Sequence, residues 1–195
     1  MSRGNSPARE GGALIRVIGW LLCGCLLAAS LGASARPPEP EGYRLDDYRA
    51  PTPDTVAGGV VLDTEAAHRL WTSGDAVWID VLPAPRRPAN LPQSAVWMPL
   101  PHRDIPGSLW LPDVGRGALN PELETYFRDH LATATKLRKD APVVFYCLAD
   151  CWMSWNAAKR AAGWRYSRVY WYRDGTDGWE AAKLPMKDIE PAPTP

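Results

Sequence analysis

Two cysteines four positions apart carry the clearest chemical signal in this chain. Cys147 and Cys151 follow the short apolar run 143–146, which predicts a buried strand, and they precede a helix predicted to open near Ser154. Backbone N–H groups and the dipole at the start of a helix stabilise a thiolate or a bound anion. The spacing therefore predicts cysteine chemistry in the turn between a strand and a helix.

Several known cysteine chemistries do not fit this segment. Covalent haem attachment needs a histidine directly after the second cysteine, where this chain has Trp152. A thioredoxin-type motif has two residues between its cysteines, whereas this pair has three. A structural disulfide stays open as an alternative, although so short a ring constrains little chain entropy. Zinc needs about four ligands, but the three histidines, His68, His102 and His130, are scattered along the sequence. Neither a metal nor a cofactor is therefore expected.

The first 35 residues are typical of an export signal. Three arginines precede an apolar segment over 17–31, and the small residues 33–35 supply a cleavage site before Arg36. Because the apolar segment is short for a membrane span, we expect a periplasmic protein with no stable membrane insertion after cleavage. An uncleaved anchor and a lipoprotein signal ending at Cys25 are the alternatives.

Removal of that signal leaves Cys147 and Cys151 as the only cysteines, and an exported pair is expected to oxidise. The whole chain has 22 basic and 22 acidic residues, so its charge gives no reason to expect a nucleic-acid partner. Composition predicts a proline-rich linker or arm over 36–57, one globular domain over 58–187 and a flexible tail over 188–195.

Strand and helix patterns alternate through the globular part. Strands are predicted at 60–62, 76–81, 95–97, 108–111, 143–146 and 168–172, and helices at 63–73, 121–138, 155–162 and from Trp179. This alternation predicts an α/β fold with a mainly parallel sheet and helices on both faces, and ligands bind beyond the carboxyl ends of such strands. Cys147 follows one strand end. Asp80 lies near another, where it either orients the cysteine loop or caps the next turn.

Several segments resemble, in order, the landmarks of a rhodanese domain: 79–81, 105–108, 143–147, 175–179 and 184–185. The resemblance covers residues 58–187 and places Cys147 where that family carries its persulfide-forming cysteine. Segment 147–160 also resembles the bacterial rhodanese-like group named for a CXXCW motif and associated with PQQ-dependent catabolism. Three residues separate Cys147 from Cys151, whereas the CXXCW name implies two between its cysteines.

Two residues of the cysteine loop depart from the rhodanese pattern. Asp150 and Trp152 stand where rhodaneses usually hold the glycine and arginine that cradle the sulfane anion. A carboxylate beside Cys147 is expected to oppose its thiolate, so sulfur transfer to cyanide or thiosulfate is expected to be weak or absent. Asp80, Asp150, Trp152 and Ser154 are the predicted loop and rim residues of the site.

Three functions remain open at this point. In the first, Cys147 attacks and Cys151 resolves in an exported redox protein, which supports PQQ-dependent alcohol catabolism according to the resemblance alone. In the second, the cysteines are locked as a disulfide and a tryptophan-rich face of a non-catalytic rhodanese-like binding module docks a dehydrogenase or cytochrome. The third is a persulfide-forming sulfurtransferase.

Overall fold

The computed structural model describes residues 36–193, so the predicted signal peptide at 1–35 lies outside the described residues. Within 36–193, no helix has the length and apolar character needed to cross a membrane. Strands and helices alternate along this part of the chain: β1 Gly59–Leu62, α1 Thr64–Ser73, β2 Val77–Asp80, β3 His102–Asp104, β4 Leu109–Trp110, α2 Pro121–Ala134, β5 Val143–Tyr146, α3 Trp152–Gly163, β6 Val169–Tyr172, α4 Gly175–Ala181 and β7 Lys187–Ile189.

Five strands form the main sheet in the order β1-β6-β5-β2-β4, and every pairing in it is parallel. Alternate side chains of β5 enter two different cores, because successive residues of a strand point to opposite faces. Val143 and Phe145 pack with residues of α2 and α3, whereas Val144 and Tyr146 pack with residues of α1 and α4. The predicted α/β fold with helices on both faces is confirmed.

A second, two-stranded sheet of β3 and β7 is antiparallel and was not predicted. Its strands are short and polar, so they lack the apolar alternation that identifies a strand in a sequence. The strand predicted at 95–97 is wrong: the segment lies among prolines, and Val96 is 85% exposed. The structure also differs from the predicted tail over 188–195, since Ala192 is buried and its carbonyl accepts a hydrogen bond from Tyr126.

Three helix ends differ from the predicted ones. Helix α2 ends at Ala134 because Lys136 and Leu137, which the pattern included in it, adopt positive φ angles. Helix α3 begins at Trp152, with Cys151 as its N-cap residue. Helix α4 begins at Gly175 and not at Trp179. The earlier starts of α3 and α4 bring two helix N-termini to the cysteine loop.

Gly175 allows helix α4 to begin directly against the cysteine loop. Its φ angle is +54°, and a Cβ atom at this position would lie 2.2 Å from the carbonyl oxygen of Cys147. The next residue, Thr176, donates its backbone N–H to that same carbonyl at 2.9 Å. A side chain at Gly175 would therefore displace the loop that carries both cysteines.

Replacement of Gly175 by alanine is expected to destabilise the fold by about 1–3 kcal/mol, because it combines left-handed backbone strain with a backbone clash. Urea denaturation measures the change. Gly163→Ala is the matched control: Gly163 lies in helix α3, and a Cβ atom added there would meet no atom within 4 Å, so alanine should leave stability unchanged or raise it by about 0.5–1 kcal/mol. Equal effects of the two substitutions would contradict the prediction.

Candidate functional site around the cysteine pair

Cys147 and Cys151 lie at the carboxyl end of the central sheet. Cys147 directly follows strand β5, and Cys151 caps the N-terminus of helix α3. Both side chains are buried free thiols, 1% and 2% exposed. The fold thus places the two thiols in one strand-to-helix turn, close enough for each to shift the pKa of the other.

The protein environment favours the thiolate at Cys151. The hydrogen bond from Cys147 and the backbone N–H groups of Met153 and Ser154 lower the pKa of Cys151 despite its burial. Burial, the hydrogen bond and charge of Cys151, and the charge of Asp80 raise the pKa of Cys147. The helix N-terminus therefore acts on the second cysteine of the pair.

The Asp150 carboxylate faces the arm and not Cys147, which corrects the sequence prediction. It accepts hydrogen bonds from Arg36 at 2.6 Å and from the Thr52 hydroxyl at 3.0 Å. Burial acts to raise the pKa of Asp150, but these hydrogen bonds outweigh it and the pKa is lowered. Its φ of 47° is a conformation that glycine adopts freely. The carboxylate that opposes the Cys147 thiolate is Asp80.

Residues 36–57, here called the arm, lie across the cysteine loop. The Tyr48 carbonyl accepts the backbone N–H of Trp152 at 2.9 Å, and Arg49 forms an antiparallel β-bridge with Cys151. Further along the arm, the Thr55 carbonyl accepts a hydrogen bond from the Trp155 indole at 2.9 Å. Because the arm covers the start of helix α3, both thiols are shielded from solvent.

Trp152 and Ser154 belong to the interior and not to the rim of the site. Trp152 is 3% exposed and packs edge-on against Trp155, with ring centroids 5.2 Å apart. The Ser154 hydroxyl donates to the Cys151 carbonyl at 2.8 Å and accepts the Trp171 indole N–H at 2.9 Å. These contacts position the start of helix α3, and they leave neither side chain on an exposed docking face.

Sequence reasoning missed a polar cluster beside the cysteines. Asp80 accepts a hydrogen bond from the Leu82 N–H at 2.8 Å, so it caps the next turn, and its other oxygen lies 2.5 Å from Nε2 of His102. Asp104 accepts hydrogen bonds from the Tyr146 hydroxyl at 2.7 Å and from its neighbour's N–H. The histidines are scattered in the sequence, yet strand β3 places His102 and Asp104 beside each other. The two residues are two positions apart, and such a spacing puts side chains on the same face of a strand, which is the sequence signal that could have identified this pair.

Burial and mutual repulsion shift the acid–base properties of this cluster, which consists of Asp80, His102 and Asp104. Burial and the charge of Asp80 raise the pKa of Asp104 to about 7. Burial also raises the pKa of Asp80, against the hydrogen bond from His102. Burial alone would lower the pKa of His102, but its hydrogen bond to Asp80 and the two carboxylate charges raise it. All three groups of the cluster therefore hold their protons to higher pH than they would in water.

The described residues form an α/β domain with a parallel sheet and a cysteine after its central strand, in a loop that leads into a helix. The chain belongs to the rhodanese-like domain family, whose profile matches residues 63–182. The resemblance drawn from the sequence landmarks is thereby confirmed for the domain. None of the curated proteins matches the chain significantly.

Solved structures similar to this chain include a thiosulfate sulfurtransferase from Pseudomonas aeruginosa, with 18% identity, a TM-score of 0.45 and 68% of this chain covered. The chain spans only 21% of that protein. A polysulfide-sulfur transferase homodimer from Wolinella succinogenes matches with 22% identity and a TM-score of 0.43, over 69% of this chain and 82% of the other. An uncharacterized protein from Saccharomyces cerevisiae matches with 23% identity and a TM-score of 0.40, over 65% of this chain and 97% of the other.

Removal of the Arg36–Asp150 ion pair is expected to expose the thiols. Arg36→Ala and Asp150→Asn each break the pair, whose side chains are 30% and 44% exposed. Since a pair of this kind contributes about 1 kcal/mol at most, we expect native-state alkylation by iodoacetamide to accelerate up to about fivefold. Asparagine also tolerates the left-handed backbone at position 150.

The control for this prediction is Arg69→Ala, which removes the exposed Arg69–Glu65 pair within helix α1. It should leave the alkylation rate unchanged. If all three variants react at the wild-type rate in intact-mass time courses, the arm does not control access to the cysteines.

Proposed function

We propose that this rhodanese-like protein performs thiol–disulfide exchange, with Cys147 and Cys151 alternating between a dithiol and a disulfide. The observation that supports this most strongly is the placement of two free, buried thiols in one turn at the N-terminus of helix α3, where each shifts the pKa of the other. Exchange requires an attacking thiolate and a second thiol within reach of the first sulfur. The lowered pKa of Cys151 and the position of Cys147 in the same turn support this proposal.

In this proposal the Cys151 thiolate attacks one sulfur of a substrate disulfide, which breaks that bond and releases the first substrate thiolate. Cys147 then loses its proton and attacks the Cys151 sulfur of the mixed disulfide, releasing the second substrate thiolate. The pair is oxidised by two electrons and the substrate disulfide is reduced by two. The reverse sequence oxidises a substrate dithiol. The lowered pKa of Cys151 favours it as the attacking residue, the reverse of the roles expected from the sequence.

The proposed setting is the periplasm, in support of PQQ-dependent alcohol catabolism with a dehydrogenase or cytochrome as partner. Two sequence features support it: the export-type pattern of residues 1–35 and the resemblance of segment 147–160 to the CXXCW group. An oxidising compartment also suits a protein whose only cysteines after export are a contacting pair.

The reduction potential of the pair tests the proposal. We expect a value above about −300 mV, because structural disulfides are generally more reducing than this and exchange-active ones are not. The protein is equilibrated with dithiothreitol or glutathione buffers, alkylated and weighed intact. Brief alkylation of the reduced protein at neutral pH should modify Cys151 before Cys147, because the Cys151 pKa is lowered and that of Cys147 is raised.

Cys147→Ser and Cys151→Ser are the controls, since neither can form the intramolecular disulfide. A potential below about −300 mV would identify a structural disulfide. That outcome would contradict the exchange proposal and leave the non-catalytic binding module as the better interpretation.

Sulfur transfer at Cys147 is the second candidate, favoured by the family match and by the neutralisation of Asp150 by Arg36. The Cys147 thiolate would attack the sulfane sulfur of thiosulfate, breaking the sulfur–sulfur bond, forming a persulfide and releasing sulfite. The Cys151 thiolate would then attack the Cys147 sulfur and release hydrosulfide, leaving the intramolecular disulfide. The neighbouring cysteine would therefore consume the persulfide that the first one forms.

Thiosulfate treatment of wild type and Cys151→Ser separates the two candidates. We expect Cys151→Ser to gain the mass of one sulfur atom at Cys147, whereas the wild type accumulates the disulfide and shows little cyanide-dependent turnover. Stable persulfide in the wild type, with turnover of about 1–1,000 per second, would instead make sulfurtransferase the leading function.

A further inference from the structure

The cluster of Asp80, His102 and Asp104 has the donor atoms of a cation site. One carboxylate oxygen from each aspartate and one ring nitrogen of His102 all lie within 4.8 Å of one another. Asp80 ends strand β2, and the other two residues lie on strand β3, so the donors come from two elements of the fold. Both aspartates are fully buried and the His102 side chain is 12% exposed.

One oxygen of this cluster is buried without a partner. Oδ1 of Asp104 accepts two hydrogen bonds, from Tyr146 and from the Ile105 N–H, whereas its Oδ2 has no hydrogen-bond partner among the described residues. A buried carboxylate oxygen without a donor costs free energy that a partner would recover. This oxygen is therefore available to a ligand that carries positive charge.

The described side chains do not supply that charge themselves. His102 is the only cationic group paired with Asp80 or Asp104 in the described ion pairs, and the neighbouring Arg103 contacts Glu180 instead. When both buried carboxyls are ionised, one imidazole leaves an excess of negative charge, which burial makes unfavourable. A divalent cation would compensate that charge.

We propose that Asp80, His102 and Asp104 bind a divalent transition-metal cation. Carboxylate and imidazole donors together suit Zn²⁺, Co²⁺ and Mn²⁺ more than Ca²⁺ or Mg²⁺. Water would fill the remaining positions, and the ring nitrogen of His102 that binds the ion must be unprotonated. The His102 ring, packed 4.2 Å from the Trp110 ring, provides the solvent-facing side of the site.

This site uses neither cysteine and goes beyond the proposed exchange function. It lies at the same end of the sheet as the pair, because Asp80 is the register partner of Tyr146, which directly precedes Cys147. The experiment must therefore separate metal bound by this cluster from metal bound by thiolates. The variant in which Cys147 and Cys151, together with Cys23 and Cys25 where the predicted signal is retained, are replaced by serine is here called the thiol-free variant.

The test measures Zn²⁺ and Co²⁺ binding by titration calorimetry and native mass spectrometry at neutral pH, with the thiol-free variant as the reference protein. We expect one ion per chain, and visible Co²⁺ absorption without a thiolate charge-transfer band. Adding Asp104→Asn should weaken binding at least tenfold, since it removes the charge of the unpartnered carboxylate while keeping its shape. His102→Gln provides a second, independent loss of a ligand.

Asp188→Asn, in the thiol-free background, is the matched control. Asp188 is exposed on strand β7 opposite Arg103, so this change makes the same substitution in the same small sheet. It should leave the affinity unchanged. The proposal is overturned if the thiol-free protein binds no ion, which is the result expected if Asp104 simply holds a proton. It is overturned as well if the Asp104→Asn and His102→Gln variants bind the ion as tightly as the control. It is also overturned if binding requires the cysteines.

Discussion

Parallel pairing of β2 with β5 is the constraint on which the rest of this site depends. The register sets Asp80 opposite Tyr146, so the last residue of one strand adjoins the residue that precedes Cys147. Parallel strands end at the same edge of a sheet, which concentrates their terminal side chains there. A carboxylate, an imidazole and two thiols consequently share one buried edge, where each charge influences its neighbours more strongly than it would in water.

The arm covers the cysteine loop and helps to bury both thiols. It lies outside residues 63–182, the segment that matches the rhodanese-like family. Its proline-rich backbone does not join the main sheet, yet its carbonyls and side chains satisfy donors at the start of helix α3 and contact Asp150. The same contacts neutralise the charge that departs from the usual rhodanese loop. Access to the cysteines and stability of the loop are therefore coupled through one segment.

The electrostatic asymmetry of the cysteine pair has a simple geometric origin. Cys151 is the N-cap residue of helix α3, and Cys147 and the nearby backbone N–H groups lower its pKa, whereas burial and the Asp80 carboxylate raise the pKa of Cys147. A rhodanese scaffold, which provides one cysteine at the end of its central strand, thus acquires a second and more acidic thiol four residues later. The proposed dithiol chemistry therefore requires no change of fold.

The α/β alternation, the parallel sheet and the position of both cysteines can be predicted from the amino-acid sequence, because they follow from local apolar periodicity and from residues adjacent in the chain. Which charges meet depends on how distant segments pack together. Asp150 pairs with Arg36 across 114 positions, and Asp80 with His102 across 22. The polar strands β3 and β7 could not be predicted for the same reason. They pair with each other across a long stretch of sequence, and neither has a periodic pattern of apolar residues.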